Sequence, residues 1–589
     1  MVDQVPNKNI LVKTVRVAGF RGLENIQVDL EQTTVLTGMN NTGKTSFLKA
    51  LQVALGNRQF LSQDDFFIKG HFVAPKITID VLIAPVGTAF SDDWEILFTE
   101  DRIRTGLSGD MPVVPLRTVV SYDEIKNSYK TTQYILPEWP DFVIGTGDSA
   151  THWFAPYIGK KTSFSFDELP FFYMDAQRDI LNDTKLRSSY LGRMLANIDY
   201  SEEDIASIEG KIGELNDKAV NSSKVLSNLR THLKGLNSTL NSEGEGVEIT
   251  PFTKKIRDLN KGLTIYYTDQ QESFAMENHG MGTRSWSSLL TLKAFISWLE
   301  QKSQTQGTAF FPVLAIEEPE SHLHPNAQKR LYGQINDIPG QKIISTHSPY
   351  IAAAAGLNQV RHFFKDDTVI CTRVNVASLK GEEQRMIERH VINCRGEIFF
   401  SRAIIFFEGE TEEQALPIFA KHHFGKTTAE LGIDFVGVAG SDAYKPFLIF
   451  AESLRIPWLI FSDAEPPAKA KVPAQVAKCG STHDKSDCIV FLDDGYDFEI
   501  QLIQDGYRPQ FIEALMSFEK PYDDADRRKK LGRFNRLSGD DLIQKIQCAK
   551  ARFAPAIAKA IVASGSIPPK VLVLFQKLRA ILGLPEDST

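Results

Sequence analysis

Short apolar runs, each closed by a glycine-rich or acidic turn, recur along this chain and alternate with stretches of helical periodicity. Val15-Arg16-Val17 and Ile26-Gln27-Val28-Asp29-Leu30 alternate as half-buried strands do, and Gly19-Phe20-Arg21-Gly22 between them reads as a turn. Thr33-Thr34-Val35-Leu36, Phe171-Phe172-Tyr173-Met174, Pro312-Val313-Leu314-Ala315-Ile316, Ile343-Ile344, Arg402-Ala403-Ile404-Ile405-Phe406-Phe407 and Pro457-Trp458-Leu459-Ile460-Phe461 read as further strands. The continuous apolar runs among them fit parallel strands buried on both faces. Helices are predicted from Lys44, over Trp286 to Trp298, and over Glu413 to Lys421. In the middle of the chain Ile205, Ile208, Ile212, Leu215, Ala219, Leu226, Leu229, Leu233, Leu236 and Leu240 recur every three or four residues, with one gap at Ser222. That stripe belongs to a helix or helical hairpin, and it suits either packing on its own domain or a dimer seam. The fold class is α/β.

At 589 residues the chain exceeds one core, and about 100–200 residues per domain gives three or four units. Net charge is −8, so DNA binding has to come from a local basic surface or from metal bridging carboxylate to phosphate. The densest basic run is Asp526-Arg527-Arg528-Lys529-Lys530, which suits a soluble helix face or a grip on backbone phosphate. Five scattered cysteines show no zinc spacing and read as reduced thiols. The first residues lack an apolar signal region, and no stretch offers about 20 uninterrupted apolar residues for a membrane span. A cytoplasmic protein is expected.

The run Thr33 to Leu36 leads into Gly38-Met39-Asn40-Asn41-Thr42-Gly43-Lys44-Thr45, which fits G-x-x-x-x-G-K-[ST] at every fixed position. Glycines let successive amides face phosphate, Lys44 meets the β/γ charge, and Thr45 offers a hydroxyl to Mg²⁺. ATP is the expected ligand. Far downstream, the run Pro312 to Ile316 ends in Glu317-Glu318-Pro319-Glu320. Acids at the C-terminal end of a parallel strand lie where α/β sheets bind ligands, so Glu317 is expected to hold Mg²⁺ and Glu318 to orient or deprotonate the attacking water. About 270 residues separate Lys44 from Glu317, which requires an insertion.

Three further segments resemble parts of ABC-type ATPases. Gly280-Met281-Gly282-Thr283-Arg284-Ser285 looks like the signature segment, which by that resemblance meets the γ-phosphate of a nucleotide held by the opposite subunit. Thr346-His347-Ser348-Pro349 resembles the switch-histidine segment, and Gln177 in Asp175-Ala176-Gln177-Arg178-Asp179 occupies the place of the glutamine loop.

The second half carries a different acid set. Arg402 to Phe407 delivers Glu408-Gly409-Glu410-Thr411-Glu412, and Pro457 to Phe461 ends in Ser462-Asp463-Ala464-Glu465. Carboxylates gathered at one sheet edge repel one another unless cations lie between them, so divalent metal is expected. The arrangement resembles the Toprim domain, with Asp463-Ala464-Glu465 in place of the commoner Asp-x-Asp. An ABC-type ATPase followed by Toprim is similar to the OLD (overcoming lysogenization defect) family of endonucleases, which includes the nuclease of the Gabija defence system. Beside the phosphate loop, the resemblance rests on Glu317-Glu318-Pro319-Glu320-Ser321-His322-Leu323-His324-Pro325, the Thr346 to Pro349 segment and Glu408 to Glu412.

That resemblance implies one metal on Glu408, Glu412, Asp463 and Glu465, and a second supported by Asp497 and Glu499, taken as an acid-x-acid pair on a strand. Mg²⁺ is the expected ion, with Mn²⁺ or Ca²⁺ possible at the Toprim site. Lys550 matches the family's active-site lysine, and Lys559 is its rival. The implied organisation is an ATPase over residues 1–190 and 264–394, a helical dimerisation insertion over 191–263, and a Toprim nuclease over 395–589. The implied function is two-metal cleavage of DNA by a homodimer or higher oligomer under ATPase control, in antiphage defence, with a partner protein or retron nucleic acid in some relatives. The competing reading is an ATP-gated DNA-binding or repair scaffold. A topoisomerase lacks its tyrosine-bearing domain here, and a primase lacks its zinc ribbon.

Overall fold

The computed structural model describes residues 10–585, apart from 57–60, 108, 110, 143–152, 155–158, 164–166, 186–188, 197–200, 234–250, 253–264, 270–271, 390–395, 439, 480–484, 520 and 548. The first alternating runs form the hairpin Ile10–Phe20 and Leu23–Asp29, at the edge of a six-stranded antiparallel sheet with Lys76–Pro85, Val114–Asp123, Ser128–Ile135 and Lys160–Thr162. A second sheet runs Phe171–Met174, Val313–Glu317, Gln341–Ser345, Thr33–Thr37, Val360–Lys365, Val369–Thr372, parallel except for the last strand.

Helix Lys44–Leu55 lies between these sheets, with Phe47, Leu48 and Leu51 fully buried in a core shared with Val17 and Ile79 on one side and Val313, Ala315 and Ile343 on the other. Three neighbouring parallel strands therefore deliver the phosphate loop, Thr346-His347 and Glu317-Glu318 to one edge. The opposite face of the same sheet packs under helix Met281–Gln306 and merges with the core of the C-terminal half.

The third sheet, Ile433–Gly437, Ala403–Phe407, Trp458–Ser462, Ile489–Phe491, is wholly parallel. Its central strand is apolar throughout because both faces are covered. Ile404 and Phe406 join the core shared with the ATPase, while Ala403, Ile405 and Phe407 face helices Glu410–Phe424, Lys550–Ala563 and Pro569–Leu582. The strand tips carrying Glu408 and Asp463 are thus neighbours. The expected α/β architecture, a P-loop ATPase followed by a Rossmann-like Toprim sheet, is what the chain adopts.

One local expectation needs correction. Asp497 and Glu499 are not on a strand: Asp497 caps helix Phe498–Leu502, its carboxylate accepting the Ile500 N–H at 2.8 Å. An aspartate at an N-cap satisfies an amide that the helix cannot, which outweighs the strand-like alternation. The central stripe divides into Glu202–Ser222 and Lys224–Leu233, broken at the Ser222-Ser223 junction. Ile212 is buried there, Leu215 and Leu229 are 56% and 46% exposed, and Leu236 and Leu240 lie outside the described residues. Asn216 ties the first of these helices to the backbone of Phe252 through both its amide atoms, at 2.7 and 2.9 Å. Among the described residues no helix is long and apolar enough to cross a membrane.

Candidate nucleotide and acid-cluster sites

The phosphate loop is built as its sequence requires. Gly43 has φ 93°, Asn41 φ 61°, and a Cβ on Gly38 would stand 2.0 Å from the Phe363 carbonyl, so only glycine fits there. Asn40, Asn41, Thr42, Gly43, Lys44 and Thr45 line a cavity of about 530 Å³ closed on its far side by Glu318 and His347. The Lys44 ammonium donates to the carbonyls of Gly38 and Met39, each at 2.8 Å. Burial pulls its pKa down to about 8 against the opposing charges of Glu318, Glu317 and Glu320.

Glu317 accepts from the hydroxyls of Thr45 and Tyr173, which joins the phosphate loop to the acidic strand end. Glu318 has a left-handed backbone, φ 40°, and its N–H donates to the Ser345 carbonyl at 2.9 Å. That kink turns its carboxylate toward the cavity, 3.9 Å from the His347 ring nitrogen. Burial, then Lys44, lowers the His347 pKa, favouring the neutral ring. Glu320 accepts from the Thr346 hydroxyl at 2.8 Å and the His347 N–H at 2.7 Å, clamping the histidine segment onto the acidic turn.

Tyr173, Arg178 and Glu320 were not singled out by sequence. Arg178 is buried and donates to the carbonyls of Ser285, Glu317, Glu318 and Pro319, so it fixes the acidic turn against helix Met281–Gln306. Its neighbour Gln177 is exposed and does not line the cavity. In the signature-like segment Gly280 caps that helix, and a Cβ on Gly282 would meet the His322 carbonyl at 2.5 Å. Ser285, expected to face a partner's nucleotide, is instead fully buried, its hydroxyl without a hydrogen-bond partner among the described residues, because it falls on the helix face turned into the head.

The second site gathers at the C-terminal edge of the third sheet. Glu408 accepts from the Ser462 hydroxyl at 2.6 Å and from Tyr444 at 3.3 Å. Glu412, one turn into the following helix, is 5% exposed, and burial followed by Asp463 pushes its pKa up to about 8. Asp463 is pushed up to about 7, first by burial and then by Glu408, Asp497, Glu499 and Glu465. These carboxylates therefore share one electrostatic neighbourhood. Glu499 is 2% exposed and accepts from the Thr411 hydroxyl at 2.7 Å and the Lys550 ammonium at 2.8 Å. Burial works against the Lys550 charge, but Glu499, Asp497 and Glu412 outweigh it and raise the pKa. Lys559 lies exposed further along the same helix. Glu465 is exposed at the start of helix Pro466–Val476.

Two features suit this cluster to a divalent cation. Among the described residues the buried Asp463 Oδ1 finds no hydrogen-bond partner, and a Cβ on Gly409 would stand 2.6 Å from Glu412 Oε2, so glycine leaves that carboxylate its place. Among the described residues no three acids or histidines close on one point as a finished coordination shell, as expected of like charges facing each other alone. The loop acids Asp493 and Asp494 pair with Lys570 and Lys469 at the rim.

An AAA ATPase domain model matches residues 11–99 and 120–352, more than half of the chain. An overcoming lysogenization defect protein-like TOPRIM domain model matches residues 399–464. The chain is 23% identical over 489 residues to the uncharacterized protein YbjD of Escherichia coli, covering 78% of this chain and 80% of that one. It is 22% identical over 479 residues to the OLD nuclease of Thermus scotoductus, covering 77% and 82%. A shorter match, 22% over 236 residues, links it to endonuclease GajA of Bacillus cereus and covers 35% of this chain and 34% of that protein. With an AAA ATPase model matching more than half of its length, the chain belongs to the AAA ATPase family, and it carries an OLD-like Toprim segment behind that ATPase.

Proposed function

We propose that this protein is an ATP-binding, divalent-cation-dependent DNA endonuclease or nickase whose ATPase controls the Toprim site. The observation that carries the reading is the convergence of Glu408, Glu412, Asp463, Asp497 and Glu499 on one sheet edge beside Lys550. A scaffold that only held DNA has no use for several buried, mutually repelling carboxylates. Two bound Mg²⁺ or Mn²⁺ ions would activate water and stabilise the departing 3′ oxygen.

The chain's own residues supply the rest. Glu408, Glu412, Asp463 and Glu465 would hold one ion, and Asp497 and Glu499 would support the other. Ser462 and Tyr444 aim Glu408. Lys550 would meet the charge that builds on the phosphorus oxygens. Arg527, Arg528 and Lys529, exposed on helix Asp524–Asn535, offer backbone phosphate a sequence-independent hold.

In the ATPase, Thr45 and Glu317 would hold the Mg²⁺ of ATP, and Glu318 with His347 would position the hydrolytic water. Gly280, exposed at the start of its helix, suits a shared site between two heads, with Gly282 packed behind it, so a homodimer or larger assembly in the cytoplasm is the working form. Antiphage defence is the role that the OLD resemblance implies.

Purified full-length protein is expected to nick or cut supercoiled plasmid with Mg²⁺ or Mn²⁺ and to stop when the metal is chelated. Lys44→Ala is expected to lose ATP binding while binding divalent cation at the Toprim site. Plasmid left intact across a metal scan with and without ATP would contradict the nuclease reading.

A further inference from the structure

A cavity of about 740 Å³ lies away from both sites. It opens at the seam where the end of the ATPase sheet, Val369–Thr372 with the residues after it, meets helix Tyr444–Ser453 of the C-terminal half. Strand Trp458–Ser462 begins at this cavity and ends at Asp463, so the cavity and the acid cluster are at opposite ends of one strand. Its volume is that of a small-molecule site.

Among the described residues its lining carries five cations, Arg373, Lys445, Arg455, Lys478 and Lys485, against the single carboxylate of Glu452. In a chain of net charge −8 such a concentration is local and deliberate in its effect: it focuses positive potential into a concave space. Three of the cations are held by acids, Arg373 by Asp29 at 3.6 Å, Lys445 by Glu383 at 2.9 Å and Lys485 by Glu452 at 3.4 Å. Among the described residues no carboxylate pairs with Arg455 or Lys478. Arg455 also holds a left-handed backbone, φ 52°, where glycine is the easier residue, and its guanidinium lies 5.5 Å from the Phe364 ring of the ATPase sheet.

We infer that this seam cavity is a second anion site, taking a compact ligand with two or more phosphoryl groups. The tethered cations set the walls, and Arg455 and Lys478 supply the charge-assisted hydrogen bonds that remain to be made. Because the lining comes from both halves of the chain, the bound anion joins them at a point remote from either reaction centre. The inference does not depend on the nuclease reading.

The test uses the full chain carrying Lys44→Ala, which silences the phosphate loop, and inorganic tripolyphosphate as the probe in a calorimetric titration. Saturable binding is expected, and it should weaken about ten-fold or more when Arg455→Gly and Lys478→Gln are added, as loss of two charge-assisted contacts requires. Arg455→Gly suits the left-handed backbone and Lys478 is exposed, so the fold should survive, which an unchanged melting temperature without probe would verify. Should the melting temperature fall, Lys478→Glu alone, at an exposed position, must still weaken binding. No binding to the Lys44→Ala chain, or equal binding with and without the cavity substitutions, overturns the inference.

Discussion

The His347 ring packs against that of Phe400, their centroids 6.3 Å apart. His347 faces the phosphate cavity, and Phe400 ends the short helix Gly396–Phe400 that leads into strand Ala403–Phe407 and its terminal Glu408. The same two segments also approach closely beside that ring contact, where a Cβ on Gly396 would stand 2.3 Å from the Pro349 carbonyl. A histidine lining the phosphate cavity thus touches the segment that enters the acid cluster.

Phe400→Ala should therefore leave ATP affinity near that of the parent while removing most of the difference that ATP makes to DNA cleavage. Nucleotide binding and plasmid cleavage, each measured with and without ATP, check this. An ATP effect of parental size in the variant would show that this contact carries no coupling.

Lys550 and Glu499 form a partly buried ion pair at the reaction edge. Lys550→Ala should slow cleavage about a hundred-fold or more, as loss of a positioned charge does at other transition states. Lys550→Arg should recover part of the rate by restoring the pair, and Lys559→Ala should change little. Single-turnover rates on one plasmid distinguish them, and a Lys559→Ala defect larger than that of Lys550→Ala would reassign the lysine.

Gly409 has φ −117°, which any residue adopts, so its requirement is for space. The Cβ of Gly409→Ala would displace the Glu412 carboxylate from 2.6 Å away. Weaker Mn²⁺ binding and reduced cleavage are expected with an unchanged circular dichroism spectrum. Parental metal affinity would place Glu412 outside the ion's reach.

The acid cluster also sets a pH dependence. Glu412 and Asp463 have folded pKa values raised to about 8 and 7, from ordinary values of 4.5 and 3.8, first by burial and then by neighbouring carboxylates, Asp463 acting on Glu412 and Glu408 on Asp463. Between those limits the folded chain binds more protons than the unfolded one, so stability falls as pH rises. In chelator the melting temperature should drop from about pH 5 to about pH 8, and Glu412→Gln should flatten the slope. Divalent cation should restore more stability at the upper end than at the lower. A melting temperature that climbs over this range in chelator contradicts the assigned burial.

Both sites were legible wherever a residue stands at the end of an apolar run, because sheet topology then dictates where it goes. Glu317, Glu318, Glu408 and Asp463 are of this kind. Lys550 was reachable only through family resemblance, since nothing local distinguishes it from Lys559. Tyr173, Arg178 and Glu320 escaped notice because their roles are defined by partners more than 25 residues away, such as Glu317 for Tyr173 and Thr346 for Glu320. Asp497 was misread because two acids one residue apart look alike on a strand and at a helix cap. The burial of Ser285 is not legible because a helix start does not reveal which face turns inward.

The proposed nuclease function places DNA cleavage on the Toprim carboxylates. The most direct measurement compares nicking of supercoiled plasmid by the parent, Glu408→Ala and Asp463→Ala in Mg²⁺ or Mn²⁺, with ATP binding followed in the same preparations. The account predicts nicking by the parent, none by either variant, and equal ATP binding in all three. Variants that nick at the parental rate would contradict it.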